Sequence, residues 1–486
     1  MSSDRTGIIE HVFEGVADAE LIEVMGEATR DESTATAQRL LAVGKLYARR
    51  AVELAEWNRW RIDATDEVAA EISAAQNISH GRAVGQIHYG RALCERLPAV
   101  ARVFVRGVID FRMVLMIIAR TENVEDAVIG QLDAGIARHA EKWMKLSKPK
   151  LQDRIDLWVA KVDPAAVRVP PAVDDNRCLD VDPGASAGMA FVSGHVHGAD
   201  GAALDQRLEA LAATVCEHDP RTKDQRRADA CGPLARGQAM LACQCGRDDC
   251  AAGSERAAAA TAVIHVLAEQ ATLDGTSDKP GYLPGLGIMP AESVRELAVT
   301  ATCKPVTIPT QAEPGYRPSA KLVEFIRFRD VTCRWPGCDT PAQKSDIDHT
   351  VPYPVGPTHP SNNKPYCRTH HLIKTFCTGP RGWTDQQLPD GTIVLTAPTG
   401  HLYRTEPHGA AMFPALAQPT GELDIAPHVV SPDTDRSAMM PRRKQTRDQD
   451  RRDRINAERR ERTELIAEEE RQRRAWLAAN YEPPPF

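Results

Sequence analysis

Leu40, Val43, Tyr47 and Leu54 fall at intervals of three, four and seven residues, which puts them on one stripe of a helix. Such a stripe predicts core packing. No proline precedes Pro98, and so long a stretch without a helix breaker favours helices. Asp110 through Met144 also has a helical pattern. Near Arg177 the period shifts. Arg177 to Val181 and Met189 to His195 predict short strands around Pro183-Gly184, and Leu204, Leu208, Leu211 and Val215 then return to helical spacing. Thr261 to Leu267 suits either a buried strand or a helix. Gly281 to Gly287 predicts a loop, and Pro290 is placed to open a helix reaching about Val299.

Pro305, Pro309, Pro314 and Pro318 mark a linker, after which Ser319 can cap a helix from Ala320 to Arg329. The expected division is a mostly helical domain over 1–302 with a small β-hairpin element, a proline-rich linker over 303–318, and an α+β module over 319–410 closed by a hairpin from Gly391 to Leu402. A disordered linker is expected over 411–441, and a charged helix and tail over 442–486, where Glu458 with Arg462 and Glu470 with Arg474 are spaced for ion pairs.

Composition narrows the class. The longest apolar run, near Met113 to Ala119, is far short of the roughly 20 residues that span a bilayer. Met1 to Val16 lacks a basic start followed by an apolar stretch, so neither a secretory signal nor a membrane partner is expected and the cytoplasm is the default location. A net charge of −7 counts mildly against a nucleic-acid binder, although a local basic face can still hold phosphates. In a reducing compartment the spacing of the twelve cysteines suggests metal before disulfide.

The chemistry concentrates in one segment. Cys333 and Cys338 flank Pro336-Gly337, and Cys367 with His370 forms a second pair expected on the first turn of a helix. Three thiolates and an imidazole suit tetrahedral structural zinc, which a module of this size needs because its own core is small. Between the pairs lie Asp348 and His349. Phosphodiester hydrolysis needs an activated water, a cation on the phosphate and support for the leaving oxygen. His349 can serve as general base and Asp348 offers an oxygen to Mg²⁺ or Mn²⁺. His371 follows His370 and points about 100° away from it on a helix, so it can face a separate active site. Arg334, Lys364, Arg368 and Lys374 are candidate phosphate contacts. Asp346 shares a strand face with Asp348 and is either an orienting group for a metal ligand or a solvated charge.

Asp348-His349, Asn362 and His371 resemble the HNH endonuclease motif, with Cys333, Cys338, Cys367 and His370 in the positions of the zinc ligands of its zinc-containing branch. The resemblance implies a ββα-metal fold, His349 as base, Asp348 and His371 on one divalent ion, and Asn362 holding the loop that positions the base. Val355 departs from the motif where a glycine is usual, as do Asn363 and Pro365 between the Asn and the Cys, and these changes are expected to loosen that loop. More widely, Asp163-Pro164, Gly188-Met189-Ala190, Asp219-Pro220-Arg221, Arg226 to Ala230 and Cys243-Gln244-Cys245-Gly246 resemble the actinobacterial 13E12-repeat proteins, which join a helical domain of unknown function to an HNH domain.

The expected activity is therefore metal-dependent cleavage of DNA. The alternative is a zinc-stabilised nucleic-acid-binding or scaffold protein that does not cut. The helical domain and the C-terminal helix are candidate surfaces for self-association. A second zinc on Cys243, Cys245 and Cys250 would need a fourth ligand, with Cys231, His195 or His197 as candidates. Unligated thiols are the plainer expectation there, and a surface role the plainer one for His195 and His197.

Overall fold

The stripe of Leu40, Val43 and Tyr47 lies buried on one long helix, α1 (Asp18–Glu53). The computed structural model describes residues 13, 15–168, 177–196, 198–250, 265–284, 287–299, 301–377, 379, 382–421, 423 and 439–480. After α1 come α2 (Ala64–Gln76), α3 (His80–Arg91), α4 (Pro98–Val105), α5 (Phe111–Thr121), α6 (Asp126–Trp143) and α7 (Lys148–Val162). The next stretch holds β1 (Cys178–Pro183), β2 (Ala190–His195), α8 (Gly198–Ala212), α9 (Lys223–Asp229), α10 (Cys231–Ala235), α11 (Gln270–Leu273), β3 (Gly281–Leu283), β4 (Gly287–Met289) and α12 (Ala291–Ala298). The remainder holds α13 (Ala320–Asp330), β5 (Ser345–His349), β6 (Asn363–Cys367), α14 (Arg368–Phe376), β7 (Thr384–Gln387), β8 (Ile393–Thr396), β9 (Leu402–Thr405), α15 (His408–Met412) and α16 (Arg447–Asn480). The molecule is mainly helical with small antiparallel sheets, and no described helix is long and apolar enough to cross a membrane.

Compactness divides the chain into Met1–Val169 with Ile308–Phe486, and Pro170–Thr307. One cut falls inside the proline-rich segment 303–318. The other falls inside the stretch expected to be a single helical domain, so that 170–307 forms a compact unit of its own.

In the first unit Leu93, Leu97, Phe104, Met113, Ile117, Leu132 and Ile155 fill one core among α1 and α4–α7. Leu97 gives α4 no side-chain cap, and Asp133 on α6 supplies it by accepting the amides of Ala99 and Val100 at 2.7 and 2.9 Å. A separate core joins the two ends of the sequence: Ile62, Ala70 and Ala74 pack with Trp335, Tyr366, Leu372, Trp383 and Ile393. Ser319 caps α13 through its Oγ and the Leu322 amide, as expected. Beyond the expected hairpin, β8 and β9 form a three-stranded sheet with β7.

Residues 413–420 pack onto the module instead of trailing away, with Phe413, Leu416 and Thr420 buried; within the expected disordered linker, 424–438 lies outside the described residues. Helix α16 buries no residue and is held by charge: Arg447 to Asp63 and Asp66, Arg451 to Glu122, and Arg459 to Asp163. Glu470 pairs with Arg474 as expected, whereas Glu458 turns to Arg168 at 2.8 Å.

In the second unit β1 and β2 pair with Pro183 opposite Ala190, and Pro290 stands immediately before the first turn of α12. The segment expected to be a loop over 281–287 instead forms the short β3–β4 hairpin. Of the ambiguous stretch 261–267, residues 261–264 lie outside the described residues, and Leu267 bridges to Tyr282.

Candidate functional site

The β5–β6 hairpin and α14 carry two arrays of side chains. In the first, Cys333 and Cys338 flank a knuckle where Gly337 adopts a φ of +73°, and a Cβ there would also strike the Ile78 carbonyl. Cys367 ends β6 and caps α14, with His370 in the first turn beyond it. The ligand atoms of Cys333, Cys338, Cys367 and His370 all lie within 4.8 Å of one another. His370 Nδ1 is 3.2 Å from Cys367 Sγ and 3.5 Å from Cys333 Sγ, and Cys338 Sγ is 4.0 Å from Cys367 Sγ. Zn–S bonds of about 2.3 Å and a Zn–N bond of about 2.0 Å imply tetrahedral edges of roughly 3.5–3.8 Å, so the cluster fits one ion. The Cys333 and Cys338 thiols, with the amides of His370 and Thr369, draw the Cys367 thiol down to about 3, which favours the thiolate a metal requires. Trp335 lies flat on the His370 ring at 4.7 Å, and His80 meets it edge-on at 5.3 Å.

The second array lies on the other side of α14. Asp346 Oδ2 sits 2.8 Å from His371 Nδ1, and Asp348 Oδ1 lies 3.5 Å from His371 Nε2. Burial works to raise the Asp346 pKa, but His371 and Arg368 hold it below the usual carboxylate value, so its oxygen accepts and the proton sits on His371 Nδ1. His371 Nε2, on the far side of the ring, faces Asp348 Oδ1. Asp346, left by the sequence between an orienting group and a solvated charge, is partly exposed and contacts both His371 and Arg368. The other oxygen, Asp348 Oδ2, accepts from Lys364 Nζ at 2.9 Å and Lys374 Nζ at 2.5 Å. Burial pushes the Asp348 pKa up, but the two ammonium groups outweigh it and hold it at about 2.

His349 is not brought into contact with Asp348 or His371. Its Nε2 lies 2.9 Å from Thr358 Oγ1, and Tyr316 stacks on the ring at 5.2 Å. Thr358 gives its one hydroxyl proton to the Gly315 carbonyl at 2.6 Å, so toward His349 it accepts. Nε2 therefore carries the proton and Nδ1 the lone pair. Burial lowers the His349 pKa, favouring this neutral form.

Asn362 accepts from the Val351 amide at 2.8 Å and donates to the carbonyls of Val351 and Pro357 at 3.0 and 2.8 Å. The loop over 351–357 is thus tied at both ends. The expectation that Val355, Asn363 and Pro365 would loosen it does not hold. Gly356 keeps the close approach to Val351, and Asn363 adds anchors of its own by accepting from the His359 amide at 2.8 Å and donating to the Asp348 carbonyl at 3.4 Å.

The four expected phosphate contacts separate by burial. Arg334 is buried and donates to Asp330 and to the carbonyls of Gly391 and Thr405. Lys364 has no exposed surface and pairs with Asp348 and Asp385. Both are correctly seen as internal counter-ions, because their charges are already satisfied beyond the reach of a phosphate. Lys374 is 13% exposed and grips Asp348 together with the carbonyls of His349 and Thr350. Arg368, with 62% of its side chain exposed and a 3.2 Å pairing to Asp346, stays available at the surface.

A second cluster lies in the other unit, where the thiols of Cys216, Cys243, Cys245 and Cys250 all fall within 4.8 Å of one another. Cys231 is exposed and outside the cluster, His195 is exposed on β2, and His197 lies outside the described residues. Both clusters could hold a metal such as zinc. The sequence reading missed Cys216, Thr358 and Asp385, since each reaches its site across a separation that no local spacing announces.

Residues 27–330 match the family described as Domain of unknown function (DUF222), and the chain belongs to that family. It is 44% identical to "Uncharacterized protein Rv2100" of Mycobacterium tuberculosis (strain ATCC 25618 / H37Rv), covering 91% of this chain and 87% of that one. It is 43% identical to "Uncharacterized protein Rv3776" of the same strain, covering 91% and 90%. No solved structure matches.

Proposed function

We propose that this member of the DUF222 family is a metal-dependent DNA endonuclease of the HNH type, in keeping with the 13E12-repeat resemblance of its motifs. The observation that carries the reading is geometric: hairpin and helix bring His371 Nε2 to 3.5 Å from Asp348 Oδ1, while Thr358 occupies the Nε2 side of His349 and leaves Nδ1 without a protein partner among the described residues. His371 Nε2 and Asp348 Oδ1 would hold one hard cation between them. Such an ion, Mg²⁺ or Mn²⁺, would neutralise charge on the phosphate and support the leaving oxygen. His349 Nδ1 takes the proton of the attacking water. Asp346 keeps His371 oriented, Asn362 ties the loop beyond β5, and exposed Arg368 is the phosphate contact left from the original four. The Cys333, Cys338, Cys367 and His370 cluster, with zinc, braces the hairpin against α14.

One observation favours the non-cutting alternative. Asp346, Asp348 and Asp385 face Arg368, Lys364 and Lys374, so three carboxylates are already balanced by three cations. The two readings separate on supercoiled plasmid with Mg²⁺ or Mn²⁺. The nuclease nicks it, and His349→Ala loses about 10²-fold or more of the rate while still binding DNA. Equal nicking by both proteins, or DNA binding without nicking by either, would overturn the proposal.

A further inference from the structure

We infer that Cys216, Cys243, Cys245 and Cys250 form a second, purely structural zinc site that staples the unit spanning 170–307. This rests on the geometry of that unit and not on the nuclease reading.

Among the described residues the cluster consists of four thiols, none of them in a disulfide. Cys216 and Cys243 Sγ are 3.5 Å apart, well beyond a disulfide bond of about 2.05 Å and close to the edge of roughly 3.8 Å expected for a ZnS₄ tetrahedron. One ion accounts for the whole set, because all four sulfurs fall within 4.8 Å. Four protein ligands leave no open position for water or substrate, which marks a structural site.

The backbone around the thiols is built to hold them. Cys216 follows α8, and the other three lie on an irregular segment some thirty residues later. Buried Asp219 joins the two segments: it accepts from the Arg221 guanidinium and amide and, at 2.9 Å, from the Gln244 amide between Cys243 and Cys245. Arg221 in turn donates to the Ala242 carbonyl at 2.7 Å, and Thr214 accepts from the Leu241 amide at 2.9 Å. Gly246, at a φ of +66°, makes the turn that returns Cys250 to Cys243 and Cys245.

The unit also needs a staple. Among the described residues of 198–250 the buried apolar side chains are Leu211, Ala212, Ala230, Pro233 and Leu241. A core that small does not hold a loop-rich region together, and small domains commonly make up the shortfall with a metal. Zinc at four thiolates supplies a cross-link between α8 and the 241–250 segment.

The test is metal analysis of the purified, reduced full chain. About two zinc ions per chain are expected in wild type, about one in the Cys243→Ser, Cys245→Ser double variant, and about two in a Cys231→Ser control. In the double variant, hydrogen exchange should rise over 205–250 while the segment around Cys333 and Cys367 stays protected. One zinc in wild type, two in the double variant, or a Cys216–Cys243 disulfide recovered from anaerobically purified protein would overturn the inference. Because the first outcome needs only wild-type protein, a variant that fails to fold does not protect it.

Discussion

The balance of charge at Asp348 sets a quantitative expectation for Lys364→Met. Lys364 has no exposed surface, lies 2.9 Å from Asp348 and 2.7 Å from Asp385, and rests over the Tyr366 ring at 4.8 Å. At an effective dielectric constant of about 20, two unit charges 2.9 Å apart attract by about 6 kcal/mol, a gross figure from which the cost of burying both must be subtracted. Methionine fits the volume and removes the charge. Lys374 still pairs with both carboxylates, so the loss of stability should reach at most the about 3–5 kcal/mol typical of a broken buried ion pair. The same change removes a positive charge that would stand close to any divalent ion held by Asp348 Oδ1. That repulsion is several kcal/mol before relaxation, and even a quarter of it tightens metal binding about tenfold or more. Mn²⁺ titration of both proteins, by calorimetry or electron paramagnetic resonance, reads the affinity directly, and urea unfolding reads the stability. Unchanged or weaker Mn²⁺ binding in a folded Lys364→Met protein would refute the electrostatic reasoning and remove Asp348 as a metal ligand.

Other outcomes follow from the same contacts. Because burial lowers the His349 pKa below its ordinary value near 6.5, the acid limb of kcat/KM should have its midpoint below about 6.5; a limb at or above that value would exclude a buried neutral base. The matching stability contribution is present above the unfolded value and fades as pH falls through the lower folded one, and that of Asp348 persists to more acid pH, fading between about 4 and about 2. Asn362→Ala deletes three hydrogen bonds and should cost about 2–3 kcal/mol by urea unfolding, with proteolysis appearing first between 351 and 357. Cys333→Ser should release one zinc and unfold the β5–β6 hairpin and α14; near-ultraviolet dichroism from Trp335, which stacks on His370, should then collapse, and an unchanged spectrum would deny the metal a structural role.

The zinc-type cluster was legible because its four ligands come as two short-range pairs, and short-range spacing survives folding unchanged. The helical stripe of α1 and the Ser319 cap were legible for the same reason. The roles of Arg334 and Lys364 were not, since a basic residue beside a site looks alike in sequence whether it faces a phosphate or a buried carboxylate. What separates the two is Asp330 and Asp385, each supplied by another element. Cys216 was hidden by its distance along the chain from Cys243, and Thr358 by being a common residue whose importance lies in where its single proton goes. The division at Val169 escaped because it shows only in the contacts that each stretch makes with itself.

The core shared by Ile62, Ala70 and Ala74 with Trp335 and Tyr366 bears on how this protein can be taken apart. A fragment beginning at the proline-rich segment would carry every candidate catalytic residue, yet it would bare the underside of Trp335 and strip the knuckle of the helix corner at Ile78 on which it rests. Cutting activity, if it is to be portable at all, should travel only with the opening helices of the chain, and a fusion built from the last third alone should precipitate.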